Sequence, residues 1–443
     1  MEMAWKDPRT ASQDDSIWLD LPEDEFRHHL VILQSKTGPV PMDPQVFSLK
    51  DWNSNSPYIN SSHTLPLDVE QRLADDFAFL AAVEEGGQSV AAVCIEEHFQ
   101  SPGMTLRFAA MYISRNEVVG TGLRAICEIL PAASEHEGSL SEHVNSLFEH
   151  IIRLHFRRLL ARLRSSKWEK PEYLSKSHKK PLWRDFENLV HRAEHAYARK
   201  EKMTRRLVES RLEELATVYE NFEASEDELA SLMHLVDASF AISSTEEIKD
   251  FAQRLQNNTK HTHQVASAIK SLRQIQKIGS YRRICMSLIA AAKQFPVLFQ
   301  HVVLEYLDPY RGVPTVIGYY EWATTCHVHA EVQLAVHYDL NEDCRPRCIG
   351  TSKWLCYLCY HFIDEHGLFF PSKTHGRIFD QWTVPDLIEF GVALITKYRH
   401  ILKEIDSVVL RHSEKESQAR RLQRMTSCDF RDFDQDLGDW FSQ

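Results

Sequence analysis

The sequence changes character abruptly at Phe295 and Pro296. Residues 140–295 contain almost no glycine and place apolar residues three and four apart among Glu, Lys, Arg, Ala and Leu, which is the pattern of amphipathic helices. After Pro296, short β-branched runs alternate with short helical patterns, as in a layered domain of mixed strands and helices. The chain must therefore combine a helical region with a mixed region.

Five regions follow from these patterns. Residues 1–64 are predicted to be an acidic, partly irregular N-terminus, 65–145 a small α+β region and 146–295 a helical region. Residues 296–405 are predicted to form an α/β domain, and 406–443 an acidic C-terminal tail. A chain of 443 residues is long enough for two or three hydrophobic cores.

The predicted elements of the first part are a helix over 67–83, strands over 89–96 and 104–114, and a helix over 118–130. Residues 187–222 are long and charged enough for an extended arm or a helical hairpin. In the last part we predict a hairpin of strands 297–306 and 315–322, a helix over 330–338, a strand over 347–351, a helix over 354–366 that ends at Gly367, short strands over 368–370 and 377–379, and a final helix over 385–405.

Composition limits the class of protein. We find no apolar stretch of about 18 residues and no secretory leader, so the chain is expected to be soluble and intracellular, in the cytoplasm or nucleus, with no membrane contact. Nine cysteines in such a chain favour free thiols or metal ligands over disulfides.

Charge is unevenly distributed along the chain. The net charge of −12 argues against a protein that coats nucleic acid indiscriminately. Residues 151–210, however, carry 17 Lys and Arg against 7 Asp and Glu, a net of +10. This basic stretch either pairs with acidic segments of the same chain or contacts a polyanion.

Two short motifs in the last part carry residues suited to chemistry. They are His329-Ala330-Glu331 at the start of one predicted helix and Cys356-Tyr357-Leu358-Cys359 at the start of the next. Cysteines three apart in a first helical turn point to the same side, and the helix dipole favours their thiolates. One imidazole and two thiolates would bind Zn²⁺ and leave a fourth tetrahedral position open, as in catalytic zinc sites. Glu331 lies two residues from the histidine, where it could accept a proton from water.

The sequence has a His-Ala-Glu motif and, 27 residues after its histidine, the first cysteine of a Cys-x-x-Cys motif. In this pair of motifs it resembles the zinc-dependent cytidine and nucleic-acid deaminase superfamily. The string from Cys348 to Cys359, with Thr374-His375-Gly376 and Trp382 downstream, is similar more narrowly to the OTT-type deaminase-like family common in fungal proteomes. The segment 91–96 is also similar to members of this family, but the resemblance is specific only in the last third.

The resemblance implies an α+β chain in which a largely helical N-terminal region precedes a three-layer α/β/α cytidine-deaminase-like domain. It implies a hydrolase that uses Zn²⁺ to deaminate a nucleobase, in a nucleotide, RNA or DNA, with His329, Cys356 and Cys359 as ligands and Glu331 as the proton carrier. His375 is expected to support a ligand. Lys353 could reach a phosphate or be a surface lysine, and Trp322, Tyr357 or Trp354 could stack on the base, although an aromatic residue in such a helix or strand is usually core. Oligomeric state is not predicted.

One residue departs from the superfamily pattern. Most members have proline directly before the first cysteine, and here that position holds Leu355. Proline fixes the start of a helix, so this substitution affects the expected geometry of the cysteine pair rather than the identity of the ligands.

Two other interpretations remain open. Cys344 and Cys348 could join Cys356 and Cys359 in a closed four-thiolate structural site, which leaves the His329 motif unexplained. The deaminase fold could also be catalytically inactive and serve as a binding or scaffold module with a structural zinc site. A cysteine protease built on Cys356 and His329 gives Cys359 no role.

Overall fold

The structure is a computed structural model that describes residues 5–48, 63–84, 89–98, 100–111, 117–135, 139–171, 180–258, 262–341 and 346–414. The helices are α1 Glu23–Thr37, α2 Leu67–Ala81, α3 Glu117–Ser134, α4 Leu140–Leu154, α5 Phe156–Leu163, α6 Phe186–Ala196, α7 Lys202–Ala224, α8 Glu228–Ser243, α9 Glu246–Gln256, α10 His263–Gln294, α11 Pro296–Phe299, α12 Ala330–Leu340, α13 Tyr357–His366 and α14 Val392–Glu414. The strands are β1 Gln45–Val46, β2 Ala91–Glu97, β3 Met104–Ala110, β4 Val302–Tyr306, β5 Val313–Pro314, β6 Thr325–Val328, β7 Gly350–Thr351, β8 Lys373–Thr374 and β9 Trp382–Thr383.

The chain divides into two compact units that are not contiguous in sequence. Unit 1 draws on Met1–Ala82, Gly87–Gly120 and Val297–Ser427, and unit 2 is built around Thr121–Pro296. The helical part is therefore an insertion between two halves of unit 1. This division differs from the sequence-based one, in which 65–145 stood apart from 296–405.

The main sheet of unit 1 has the strand order β4-β3-β2-β7. Strands β2 and β3 form an antiparallel hairpin with Cys94 opposite Arg107, and β2 also pairs antiparallel with β7. Strand β4 pairs in parallel with β3. The predicted hairpin of 297–306 with 315–322 is wrong, because β4 pairs with β3 and 315–322 forms no strand.

Helices cover this sheet from both faces. Successive side chains of a strand point to opposite faces, and the neighbours Glu96 and Glu97 on β2 illustrate the result. Glu96 accepts a hydrogen bond from the Tyr338 hydroxyl of α12 at 2.6 Å. Glu97 accepts the backbone N–H groups of Thr64 and Leu65, just before α2, at 2.6 and 3.0 Å. Helices α12 and α2 thus lie on opposite faces.

Helix α2 approaches the sheet closely at one glycine. A Cβ on Gly350 of β7 would lie 2.0 Å from the carbonyl carbon of Ala74 on α2. The side of the sheet that carries α12 continues into a core formed with α1, α13 and α14, whose large buried side chains include Phe26, Trp382 and Tyr398. Strand β6 lies beside this core, between antiparallel β5 and parallel β9.

Unit 2 is helical within its described residues. Helices α6 and α7 pack against each other as a helical hairpin over the segment predicted to form an arm or a hairpin. Helix α10 approaches α8 at Gly279, where a Cβ would lie 2.8 Å from the Cα of Phe240. Of the basic residues there, Arg153 binds Glu149 at 2.6 Å and Arg164 binds Asp185 at 2.5 Å. Polyanion contact by 151–210 stays a prediction.

The α+β class is confirmed, and most predicted elements are present with shifted ends. The helices over 67–83, 118–130 and 330–338 and the glycine stop at Gly367 are confirmed. Helix α1 lies in the region predicted to be partly irregular, no strand forms at 377–379, and α14 starts later and ends later than the predicted helix over 385–405. Residues 415–443 of the predicted tail lie outside the described residues. Among the described helices, none has the length and apolar character needed to cross a bilayer.

Candidate metal centre

The two motifs meet because each occupies the start of a helix. His329 is the residue that precedes α12, and Cys356 precedes α13. Cys359 follows in the first turn of α13, and its backbone N–H donates to the Cys356 sulfur at 3.3 Å. Both helices therefore direct their positive ends at this point, which favours anionic sulfur.

The ligand atoms of His329, Cys356 and Cys359 lie within 4.8 Å of one another. The His329 Nδ1 is 3.7 Å from the Cys356 Sγ and 3.4 Å from the Cys359 Sγ. A tetrahedral zinc with usual Zn–N and Zn–S bond lengths separates these atoms by about 3.5 Å. The three residues thus form a group that could bind a metal ion, and the donor spacing fits the size of zinc.

Burial and mutual contact set the protonation of this group. Burial raises the pKa of the Cys356 thiol, but hydrogen bonding by Cys359 and the charge on His329 outweigh it and lower this pKa well below its usual range. Burial and the neighbouring Cys356 sulfur raise the pKa of Cys359. Burial lowers the pKa of His329, yet the Cys356 thiolate reverses this and raises it. Cys356 and His329 therefore each favour the charged form of the other, a thiolate beside an imidazolium.

Glu331 is buried in the first turn of α12, two residues after His329. Its Oε2 is 3.5 Å from the Cys359 Sγ. Burial raises the pKa of Glu331, as expected for a carboxyl group removed from water. The structure thus brings Glu331 to the same point as the three possible ligands, as a carboxyl group that can bind a proton.

Backbone hydrogen bonds hold Leu355, which stands directly before Cys356 where most superfamily members have proline. The Leu355 N–H donates to the Lys373 carbonyl at 3.1 Å, a bond that proline cannot make. The Leu355 carbonyl accepts the His375 N–H at 3.1 Å and the Thr374 Oγ1 hydroxyl at 2.9 Å. The segment around Thr374 therefore fixes the chain that presents Cys356.

His375 lies in that same segment and is buried. Burial lowers its pKa to about 4, so its ring is neutral at neutral pH. The Nδ1 accepts the Arg377 N–H at 3.0 Å, which leaves the ring proton on Nε2. His375 supports the cysteine loop through its backbone, and its predicted role beside the metal stays a prediction.

The other residues predicted to contact a base or a phosphate are not all near the surface. Trp322 is 68% exposed in the loop between β5 and β6, whereas Trp354 and Tyr357 are buried core residues. Lys353 is half-buried directly before Trp354. Trp322 therefore forms part of the surface rather than of the buried group.

The four-thiolate alternative finds no support among the described residues. Cys348 lies on the β2 side, where its carbonyl oxygen accepts a contact from the Cys94 Sγ at 3.5 Å. The group of close potential ligands contains His329 and not Cys348. Cys344 lies outside the described residues.

The structure places two further residues, Phe379 and His327, beside the centre. The Phe379 ring centroid is 6.4 Å from that of His329 and 5.9 Å from that of His375. His327 lies two residues before His329 on β6, and its pKa is lowered by burial and by His329. No sequence signal pointed to Phe379; His327 shares the alternation of β6, which places it on the His329 side.

Comparison with known proteins adds one match. Residues 328–386 match the model of a family described as OTT_1508-like deaminase. This match covers His329, Glu331, Cys356, Cys359 and the Thr374-His375-Gly376 segment, and confirms the resemblance to an OTT-type family. No curated protein and no solved structure matches the chain.

Proposed function

We propose that this chain, which carries an OTT-type deaminase segment, is a zinc-dependent hydrolase that deaminates a nucleobase. The observation that carries the proposal is the buried group in which the His329 Nδ1 faces both cysteine sulfurs while the Glu331 carboxyl lies beside Cys359. The match at 328–386 supports deamination as the reaction class.

Zinc is the metal that this donor set favours. One imidazole nitrogen and two thiolates select zinc over the hard cations Mg²⁺ and Ca²⁺, which require oxygen ligands. His329, Cys356 and Cys359 would hold the ion. When bound, zinc would supply a Lewis acid that makes water nucleophilic near neutral pH.

Glu331 would move the protons of the reaction. The net change is hydrolysis: water provides the oxygen that replaces the amino group, and ammonia leaves. The Glu331 carboxylate would take the two protons of the attacking water in turn, delivering the first to the ring nitrogen and the second to the departing amine. Its raised pKa suits this role, because a carboxyl group with a pKa nearer neutrality can both accept and donate a proton.

The surrounding architecture supports a three-layer cytidine-deaminase-like domain. Helix α2 lies on one face of the β4-β3-β2-β7 sheet, and α12, which begins at His329, lies on the other. This domain would be formed by residues on both sides of the helical insertion, with β2 and β3 as its central hairpin.

The test is ammonia release by Glu331→Gln and wild-type protein, with zinc content measured on the same samples. Cytosine and adenine nucleosides, nucleotides and single-stranded oligonucleotides serve as substrates. Gln is nearly isosteric but cannot carry a proton, so we expect turnover to fall at least 10²-fold while zinc stays bound. Glu305→Gln, an exposed β4 residue, is the control and should keep full activity.

Retained turnover in Glu331→Gln would remove this residue from the mechanism. Zinc bound without ammonia release from any substrate in the wild-type protein would favour the alternative function, an inactive deaminase fold that serves as a binding or scaffold module.

A further inference from the structure

The loop between β5 and β6 exposes three aromatic side chains, Tyr319, Tyr320 and Trp322, called here the aromatic loop. The Tyr320 and Trp322 rings stack nearly parallel, with centroids 5.2 Å apart and an interplanar angle of 10°. Tyr319 contacts Tyr320 edge to face at 4.8 Å. Exposed flat rings held in one orientation form a surface on which other flat rings can stack.

Hydrogen bonds hold this loop in place. The Tyr319 N–H donates to the Asp380 carboxylate at 2.6 Å. The Ala323 N–H donates to the Tyr320 carbonyl at 2.8 Å, and the Thr315 N–H to the Thr324 carbonyl at 2.9 Å. The rings are therefore presented by a structured turn, which lowers the entropy lost when a ligand binds.

The aromatic loop connects to the metal centre through Phe379. Phe379 precedes Asp380, the residue that binds Tyr319, and its ring lies 6.4 Å from that of His329. Phe379 is 43% exposed, so its ring lies at the rim of the centre. The Phe379–Asp380 segment therefore joins the aromatic loop to the neighbourhood of His329.

Positive charge lies near the opposite end of the β5–β6 hairpin. Lys6 and Arg311 are exposed, and their backbones are joined by the Arg311 N–H to Lys6 carbonyl bond of 2.8 Å. The next residue, Gly312, abuts His327, since a Cβ there would lie 3.2 Å from the imidazole Cε1. The loop itself holds the acid Glu321 and no Lys or Arg between Val313 and Thr325.

From this arrangement we infer that the substrate is a single-stranded nucleic acid, whose flanking bases stack on Tyr320 and Trp322 while a base enters the centre past Phe379. This inference rests on the proposed function and narrows its substrate class. A free nucleoside has no flanking bases to use the aromatic loop, and paired bases are not available for stacking on protein rings. Lys6 and Arg311 would contact backbone phosphates.

The test measures binding of a fluorescein-labelled 12-nucleotide single-stranded DNA, and of the matching RNA, to zinc-loaded full-length protein by anisotropy. Base stacking on an aromatic side chain is worth about 1–3 kcal/mol, so Trp322→Ala should weaken binding by about 5- to 150-fold. Trp322→Phe should restore most of the affinity because a flat ring remains. Val316→Ala is the matched control, since Val316 is 99% exposed in the same loop.

Salt dependence separates the two parts of the surface. Trp322→Ala should leave the dependence of log K on log salt unchanged, since the aromatic loop has no cation. Lys6→Ala combined with Arg311→Ala should reduce the slope by about 1.4, as expected for two phosphate contacts on a single strand.

Several outcomes would overturn the inference. The first is that the folded zinc-loaded protein does not bind the oligonucleotides. The second is that Trp322→Ala leaves their affinity unchanged, and the third is that Val316→Ala lowers the affinity as much as Trp322→Ala does. Ammonia release from free nucleosides without oligonucleotide binding would refute the inference and leave the proposed function intact. Oligonucleotide binding through Trp322 without ammonia release would refute the proposed reaction and support this surface as a nucleic-acid site.

Discussion

Replacing Thr374 by valine tests how the cysteine loop is held. The Thr374 side chain is fully buried, and its Oγ1 donates to the Leu355 carbonyl at 2.9 Å and accepts the Gly376 N–H at 3.1 Å. Valine has nearly the same shape, so the substitution removes these two hydrogen bonds without creating a cavity.

The size of the effect follows from what each partner retains. The Leu355 carbonyl keeps the His375 N–H at 3.1 Å, so its lost bond costs about 1 kcal/mol. The Gly376 N–H loses the Thr374 acceptor inside the protein, which costs about 1–3 kcal/mol. We therefore expect the free energy of unfolding to fall by about 2–4 kcal/mol.

Thr374→Val should also weaken the binding of zinc. Leu355 precedes Cys356, one of the proposed zinc ligands, and groups that orient a ligand typically contribute about 10- to 100-fold to metal affinity. We expect Thr374→Val to lower zinc affinity by that factor in competition with a chromophoric chelator. Urea unfolding with and without chelator measures the stability change.

Two variants complete the design. Thr374→Ser keeps the hydroxyl and should restore zinc affinity. Thr396→Val removes an exposed hydroxyl that bonds only the Val392 carbonyl of its own helix, and should change stability by less than about 0.5 kcal/mol. If Thr374→Val matches Thr396→Val in both stability and zinc affinity, Thr374 does not hold the loop.

Two further perturbations concern residues away from the ligands. Gly376→Ala should destabilise unit 1 far more than Gly367→Ala: both glycines have positive φ, but a Cβ at Gly376 would lie 1.9 Å from the Met42 carbonyl oxygen, whereas the space at Gly367 is open. Melting temperatures of the two variants check this, and equal shifts would contradict it. Burial raises the pKa of Asp339, but hydrogen bonding by His366 outweighs it and lowers this pKa to about 2. A lowered folded-state pKa contributes stability that is present above the unfolded value near 4 and lost as the pH falls toward 2. Asp339→Asn should therefore flatten the stability profile between pH 4 and pH 2 in urea titrations, and an unchanged profile would contradict the assignment.

The centre was predictable because its signals are local. His329 and Cys356 each directly precede a helix, and Glu331 and Cys359 occupy the first turns. Helix starts, residue spacing within one turn and ligand chemistry can all be inferred from a few neighbouring residues. The expectation that His329, Cys356 and Cys359 converge from two helices followed from the chemistry of zinc rather than from any prediction of tertiary structure.

The sheet was not predictable in the same way. The apolar run 297–306 indicated a strand, but its partner β3 lies on the other side of the helical insertion. Strand partners are set by tertiary contacts, which a single sequence does not record. The adjacent hairpin was favoured over this distant partner because local pairing is the more common arrangement.

The predicted strand over 315–322 is wrong for a physical reason. Residues 315–322 are rich in β-branched and aromatic side chains, which favour strands because strands usually bury them. Here Val316, Tyr320 and Trp322 are exposed, and the segment forms a turn held by Asp380. Two of these exposed residues, Tyr320 and Trp322, are those on which we infer that bases stack.

Zinc per chain is the measurement that shows most directly whether His329, Cys356 and Cys359 hold one metal ion. Elemental assay of purified wild type, His329→Ala and Cys344→Ala should give one zinc in the wild type, loss of zinc in His329→Ala, and full retention in Cys344→Ala. Zinc that survives without His329 and disappears without Cys344 would mean a closed thiolate site, and the deaminase mechanism would be abandoned.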